Sequence, residues 1–171
     1  CLKFCQMVER RMWATQSELR QFRALSPGVL KTVERKGLTV EKLYPLDVSQ
    51  VGESVDNSAA RKIVHSLVHS FPRLELSATV QPVTRSLLRM ELTALCDFTW
   101  NPEYHGSSVA FWILVEDVDG ENILHHEMFV LKERFGRDKS HEHYISFTVP
   151  LFEPLPPQYF IKVFADKWLG S

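Results

Sequence analysis

Hydrophobic positions recur with helical spacing over the first part of the chain and with a period of two from Leu74 onward. Between Leu2 and Trp13, apolar side chains at Leu2, Cys5, Val8 and Met12, widened by Phe4 and Met7, predict the end of an amphipathic helix with Arg10 and Arg11 in its last turn. Ser26-Pro27 offers an N-cap followed by proline at the first helical position. Val29, Leu30 and Val33 then form a stripe that Gly37 stops. Thr39 can cap one more turn through Leu43 before Pro45 interrupts. Asp47 and Gln50 have the spacing of a capping box ahead of Val48, Val51 and Val55, with Gly52 at a point where two helices could approach closely. Ser58 can open a longer helix through Ile63, Val64, Leu67 and Val68 that ends at Pro72.

The strands come next. Leu74, Leu76, Ala78 and Val80 alternate with polar neighbours up to Pro82, and Leu88, Met90, Leu92, Ala94, Cys96 and Phe98 give the cleanest strand pattern in the chain. From Phe111 to Leu131 two β-rich runs meet at Asp119-Gly120, which predicts a hairpin closed by a type I′ turn, whose central residues both need positive φ. The first arm, Val109 to Val115, is apolar on both faces and predicts a mid-sheet strand covered on two sides. Ile145, Phe147, Val149 and Leu151 make a fifth strand, and Tyr159, Ile161, Val163 and Ala165 a sixth. Pro150, Pro154, Pro156 and Pro157 predict a crossing loop between them. The fold class is therefore α+β: short helices followed by an immunoglobulin- or fibronectin type III-like β-sandwich lacking its last strand, with an open edge on the sixth. Leu155 to Val163 also resembles the fibronectin pattern in which a tyrosine, here Tyr159, closes a corner by bonding back to the preceding loop.

Charge divides the chain where the period changes. There are 12 Lys and Arg against 7 Asp and Glu up to Arg73, and 8 against 14 after it, so a polyanion would meet the first half only. Arg61, Lys62, His65 and His69 make a basic helical face that could lie along a phosphate backbone or stand as a solvated polar face. His125 with Glu127, and His141 with His143, would each share a strand face, but no spacing joins the two pairs, and no metal is expected. Three cysteines without CxxC spacing, Cys1, Cys5 and Cys96, read as small packing residues in a reducing compartment. No Walker A loop, G-x-S-x-G, HExxH or paired-carboxylate pattern occurs, which argues against catalysis by this chain. No apolar run approaches the length of a membrane span, so no membrane partner is expected. The chain opens on Cys1 and reads as excised from something longer.

Leu19 to Phe22, Arg85-Ser86, His105 to Ser108, Ala110 to Val118, Ile123 to Glu127 and Phe152 to Ile161 closely resemble the Sec sixty-three module of large superfamily-two, DExH-box RNA helicases. The paired histidines and Ala110 to Leu114 resemble its spliceosomal branch, at the first helicase cassette, while Lys167 to Gly170 also resembles the cointegrator-complex branch. The resemblance implies three parts: the end of a helical bundle over 1–25, a helix-loop-helix domain over 26–72 and a truncated fibronectin-like sandwich over 73–171. It implies a non-catalytic accessory module in the nucleus. This would pack on motor domains that bind ATP and magnesium elsewhere in the parent, flank single-stranded RNA with the electropositive half (Arg61, Lys62, His65), and offer the sandwich to spliceosomal snRNP proteins. The pattern of the family that the chain resembles has a glycine near the start of this helix, where this chain has Ala59-Ala60-Arg61, so the resemblance does not imply a close backbone approach to RNA there. The competing reading is a free-standing fibronectin-type protein-interaction module.

Overall fold

The structure, a computed structural model, describes residues 2–151 and 158–171. It has the α+β architecture, helices first and then two small antiparallel sheets. The chain forms two compact units: Cys1–Pro72 with Phe98–Tyr104 and Lys167–Ser171, and Arg73–Asp97 with His105–Asp166.

The first unit is built on short, individually capped helices: α1 (Leu2–Arg10), α2 (Pro27–Arg35), α3 (Val40–Leu43), α4 (Val48–Ser54) and α5 (Arg61–His69). Ser26, Thr39 and Asp47 cap as the sequence predicts, Asp47 and Gln50 close a full capping box, and Gly37 takes the left-handed φ of 60° that ends α2. α5 begins later than expected. Ser58 does not cap it. Asp56 turns left-handed at φ 53°, and the Asn57 Oδ1 accepts from the Ala60 amide at 3.0 Å, holding residues 57–60 in a turn before the helix. Ile63 falls on the solvent side, and the buried stripe is Val64, Leu67 and Val68. In α1 only Gln6 and, just beyond it, Met12 are buried; Val8 is 63% exposed and Cys5 also faces solvent, so neither is the packing residue the stripe implied. Cys1 lies outside the described residues.

A 3-10 turn, Glu18–Phe22, was not legible in the periodicity. Ser17 caps it, and Arg20 pins it to α2 by a two-pronged pair with Glu34 at 2.6 and 2.9 Å, which holds the Glu34 carboxyl below its usual range. Phe22 centres an aromatic cluster with Phe71, Tyr104 and Trp168. The Gln21 amide clamps Leu169 by both backbone groups, 2.8 and 2.9 Å, and Gly170 (φ 88°) passes so close to Glu18 that a Cβ there would sit 2.6 Å from its Cγ.

The second unit holds β1 (Leu74–Thr84), β2 (Leu87–Cys96), β3 (Ser108–Glu116), β4 (Ile123–Lys132), β5 (His143–Pro150) and β6 (Phe160–Ala165), ordered β1-β2-β5 and β4-β3-β6. One-turn helices α6 (Pro102–His105) and α7 (Glu133–Gly136) escaped the sequence reading because four residues carry no periodicity. β3 is a mid-sheet strand, as its apolar run implied, although only the Val109, Phe111, Ile113 and Val115 face is fully buried; Ala110, Trp112 and Leu114 are half-buried. The β3–β4 hairpin exists, but its turn is not type I′. Only Gly120 has positive φ, and the Asp117 carboxylate organises a six-residue loop by accepting from the Glu121 and Asn122 amides and the Asn122 side chain. β6 pairs with β3 and is a sheet edge among the described residues. Leu151 lies just past β5, and the expected crossing loop through Pro154, Pro156 and Pro157 falls outside the described residues. The Tyr159 hydroxyl makes no corner bond among them.

Candidate nucleic-acid interface

α4 and α5 lie against each other through Gly52. A Cβ at that position would sit 3.1 Å from the Cβ of Arg61 and 3.3 Å from its Cδ, so the arginine stem rests on the glycine. Arg61, His65 and His69 follow at one-turn intervals and form a single row. The His65 and His69 rings are 4.4 Å apart, and Tyr44 continues the row 4.7 Å from His69. Lys62 is about 100° further round the helix and does not belong to that row. The structure thus brings Arg61 and His65 together, adds His69 and Tyr44, and sets Lys62 on the adjoining face beside exposed Ile63.

The local electrostatics are uneven. Asp56 takes Lys36 at 2.7 Å and Arg35 at 4.0 Å, whereas Arg61 and Lys62 are exposed and have no ion-pair partner among the described residues. Both cations occupy the first turn of α5, which has no acidic residue and no side-chain cap. Positive charge there opposes the helix dipole, and an incoming anion would relieve it. Tyr44, an aromatic far from α5 in sequence, was missed because only the tertiary fold aligns it with the histidine row.

The other histidines do not converge on one point. His125 stacks on Phe147 at 4.2 Å with its Nε2 3.5 Å from Glu127, while His143 packs against Phe129 and His141. Burial, with His141 adding to it, holds the His143 imidazole below its ordinary pKa. No group of three His, Cys, Asp or Glu arranged to hold a metal occurs among the described residues. No helix among them is long and apolar enough to cross a membrane.

The chain is 52% identical over 169 residues to the U5 small nuclear ribonucleoprotein 200 kDa helicase of Homo sapiens, 47% over 170 residues to the pre-mRNA-splicing factor brr2 of Schizosaccharomyces pombe, and 45% over 172 residues to an activating signal cointegrator 1 complex subunit 3-like protein of Dictyostelium discoideum. Each alignment covers 99% of this chain and 8% of the relative, so the chain spans a small part of their length. The family model of the Sec63 Brl domain matches residues 1–171, and the chain belongs to that family.

Proposed function

We propose that this chain is a non-catalytic accessory module of an ATP-dependent RNA helicase of pre-mRNA splicing, at its first cassette, acting in the nucleus. In this reading residues 1–25 end a helical bundle, 26–72 form a helix-loop-helix domain and 73–171 form the sandwich. The module packs on the motor domains of its own chain, its α5 face flanks single-stranded RNA through Arg61, Lys62 and His65, and the acidic sandwich meets snRNP proteins. The names of the relatives support the setting. The observation that carries the RNA contact is the pair of exposed cations, without an ion-pair partner among the described residues, in the uncapped first turn of α5. ATP and magnesium act in the motor domains; the chain's 7 glycines are scattered singly and build no phosphate-cradling loop here.

The test is binding of oligouridylate to the chain as a function of salt. R61E with K62E should abolish measurable binding, and R61Q with K62Q, which removes two phosphate contacts, should flatten the log–log salt slope by about 1.4 while circular dichroism stays unchanged. Unaltered affinity and slope in both variants would remove α5 from the RNA path.

A further inference from the structure

Arg10, in the last turn of α1, lays its guanidinium over Trp168, 4.1 Å from the ring centroid, and its Nε donates to the Lys167 carbonyl at 2.5 Å. The side chain is half-buried and makes no ion pair among the described residues, whereas Arg20, Arg73 and Arg137 each hold a carboxylate within 3.1 Å. Its surroundings do not neutralise it. Burial, with repulsion from Arg23, lowers its pKa from the ordinary value against the pull of neighbouring Glu9. Arg10 and Arg23 line a cavity of about 370 Å3 whose other walls include Phe22, Ala24, Glu103 and Tyr104. Two cations around a hollow, one of them partly desolvated and unpaired, cost free energy that a bound anion would remove.

We propose that this cavity receives the carboxylate of an acidic side chain from a protein partner. Two observations favour a peptide over a nucleic-acid strand. Trp168 and Phe22 are only 3% and 4% exposed, the indole already covered by Arg10 and the phenyl ring ringed by Phe71, Tyr104 and Trp168, so neither offers a free face for a base to stack on. Glu9 and Glu103 flank the arginines. They tolerate one incoming negative charge but repel the succession of phosphates that a strand would bring. The contact expected is the one Arg20 makes with Glu34 in the same unit, a guanidinium fork on a carboxylate. It lies apart from the α5 row and stands or falls independently of the RNA contact proposed there.

The experiment is a nuclear magnetic resonance titration of the isotope-labelled chain with an acetylated, amidated pentapeptide Gly-Ser-Glu-Ser-Gly, its Gln counterpart, inorganic phosphate and oligouridylate. The Glu peptide should move the Trp168 indole N–H and Arg10 Nε–H signals saturably, and the Gln peptide should bind about tenfold more weakly or less. R23Q, at an exposed position that leaves the Arg10–Trp168 stack in place, should weaken the Glu peptide by about tenfold with the remaining amide signals unmoved. The proposal is overturned if the Glu peptide moves neither signal, if Glu and Gln peptides bind alike, or if R23Q binds as well as the parent. It is equally overturned if phosphate or oligouridylate moves the same signals at lower concentration than the Glu peptide.

Discussion

The Tyr159 ring packs on the core cluster around Met90, Ile113, Val115 and Phe147, yet its hydroxyl is buried with no hydrogen-bond partner among the described residues. An unsatisfied buried polar group costs about 1–3 kcal/mol, and the burial raises the phenol's pKa above its ordinary value. Phenylalanine keeps the ring and discards the oxygen, so Y159F should melt at the same temperature or be stabler by about 1 kcal/mol. The sign with pH follows from the raised pKa: the protonated phenol is favoured by folding, so its contribution is complete below the unfolded value near 10 and is lost above it. Alkaline unfolding should therefore be steeper in the parent than in Y159F, and a Y159F loss of stability at neutral pH would show that the hydroxyl does make a corner bond. At this scale the sequence tells where a side chain points better than what it bonds to. Alternation placed Ile161 and Val163 on one face with Tyr159, but Asp119-Gly120 misled, because the Asp117 carboxylate sets the loop in place of a second left-handed residue.

Among the elements, α4 and α5 show how one glycine sets a spacing. Alanine at position 52 would gain helix propensity of about 1 kcal/mol, but its Cβ would meet the Cβ of Arg61 at 3.1 Å, an atom fixed to the backbone of α5 and unable to swing away. Overpacking of this kind costs about 1–3 kcal/mol, so G52A should be destabilising on balance by about 1 kcal/mol in denaturant unfolding. It should also shift the Arg61 and His65 amide signals while sparing those of the sandwich. Helix ends that depend on a neighbouring side chain were legible: Ser26, Thr39 and the Asp47 capping box all lie within three residues of the amide they satisfy. The start of α5 was not, since it depends on Asp56 taking a conformation no local pattern announces. Of the candidate site, Arg61 and His65 could be read from helical spacing alone; the separation of Lys62 from that row depends on the same spacing, and Tyr44 joins only through packing.

Across the whole molecule, the first unit is assembled from three stretches separated by long excursions, and its aromatic centre joins Phe22 of the first stretch to Trp168 of the third. W168A removes a buried indole that touches Phe22, Phe71 and Arg10, and should cost about 3–5 kcal/mol. The loss should appear as early melting of the helical signals, with β-sheet amide protection less affected. Nothing near Trp168 in the sequence foretells this, because local periodicity cannot report a partner nearly 150 positions away; the tight passage of Gly170 past Glu18 was hidden for the same reason.

Because residues 167–171 complete the helical unit, the helices over 2–69 cannot finish folding during synthesis until all the intervening strands and Trp168 have left the ribosome. The intervening strands have to close on themselves first, or wait. Deleting residues 167–171 would therefore injure the helices, far away in sequence, more than the strands beside them.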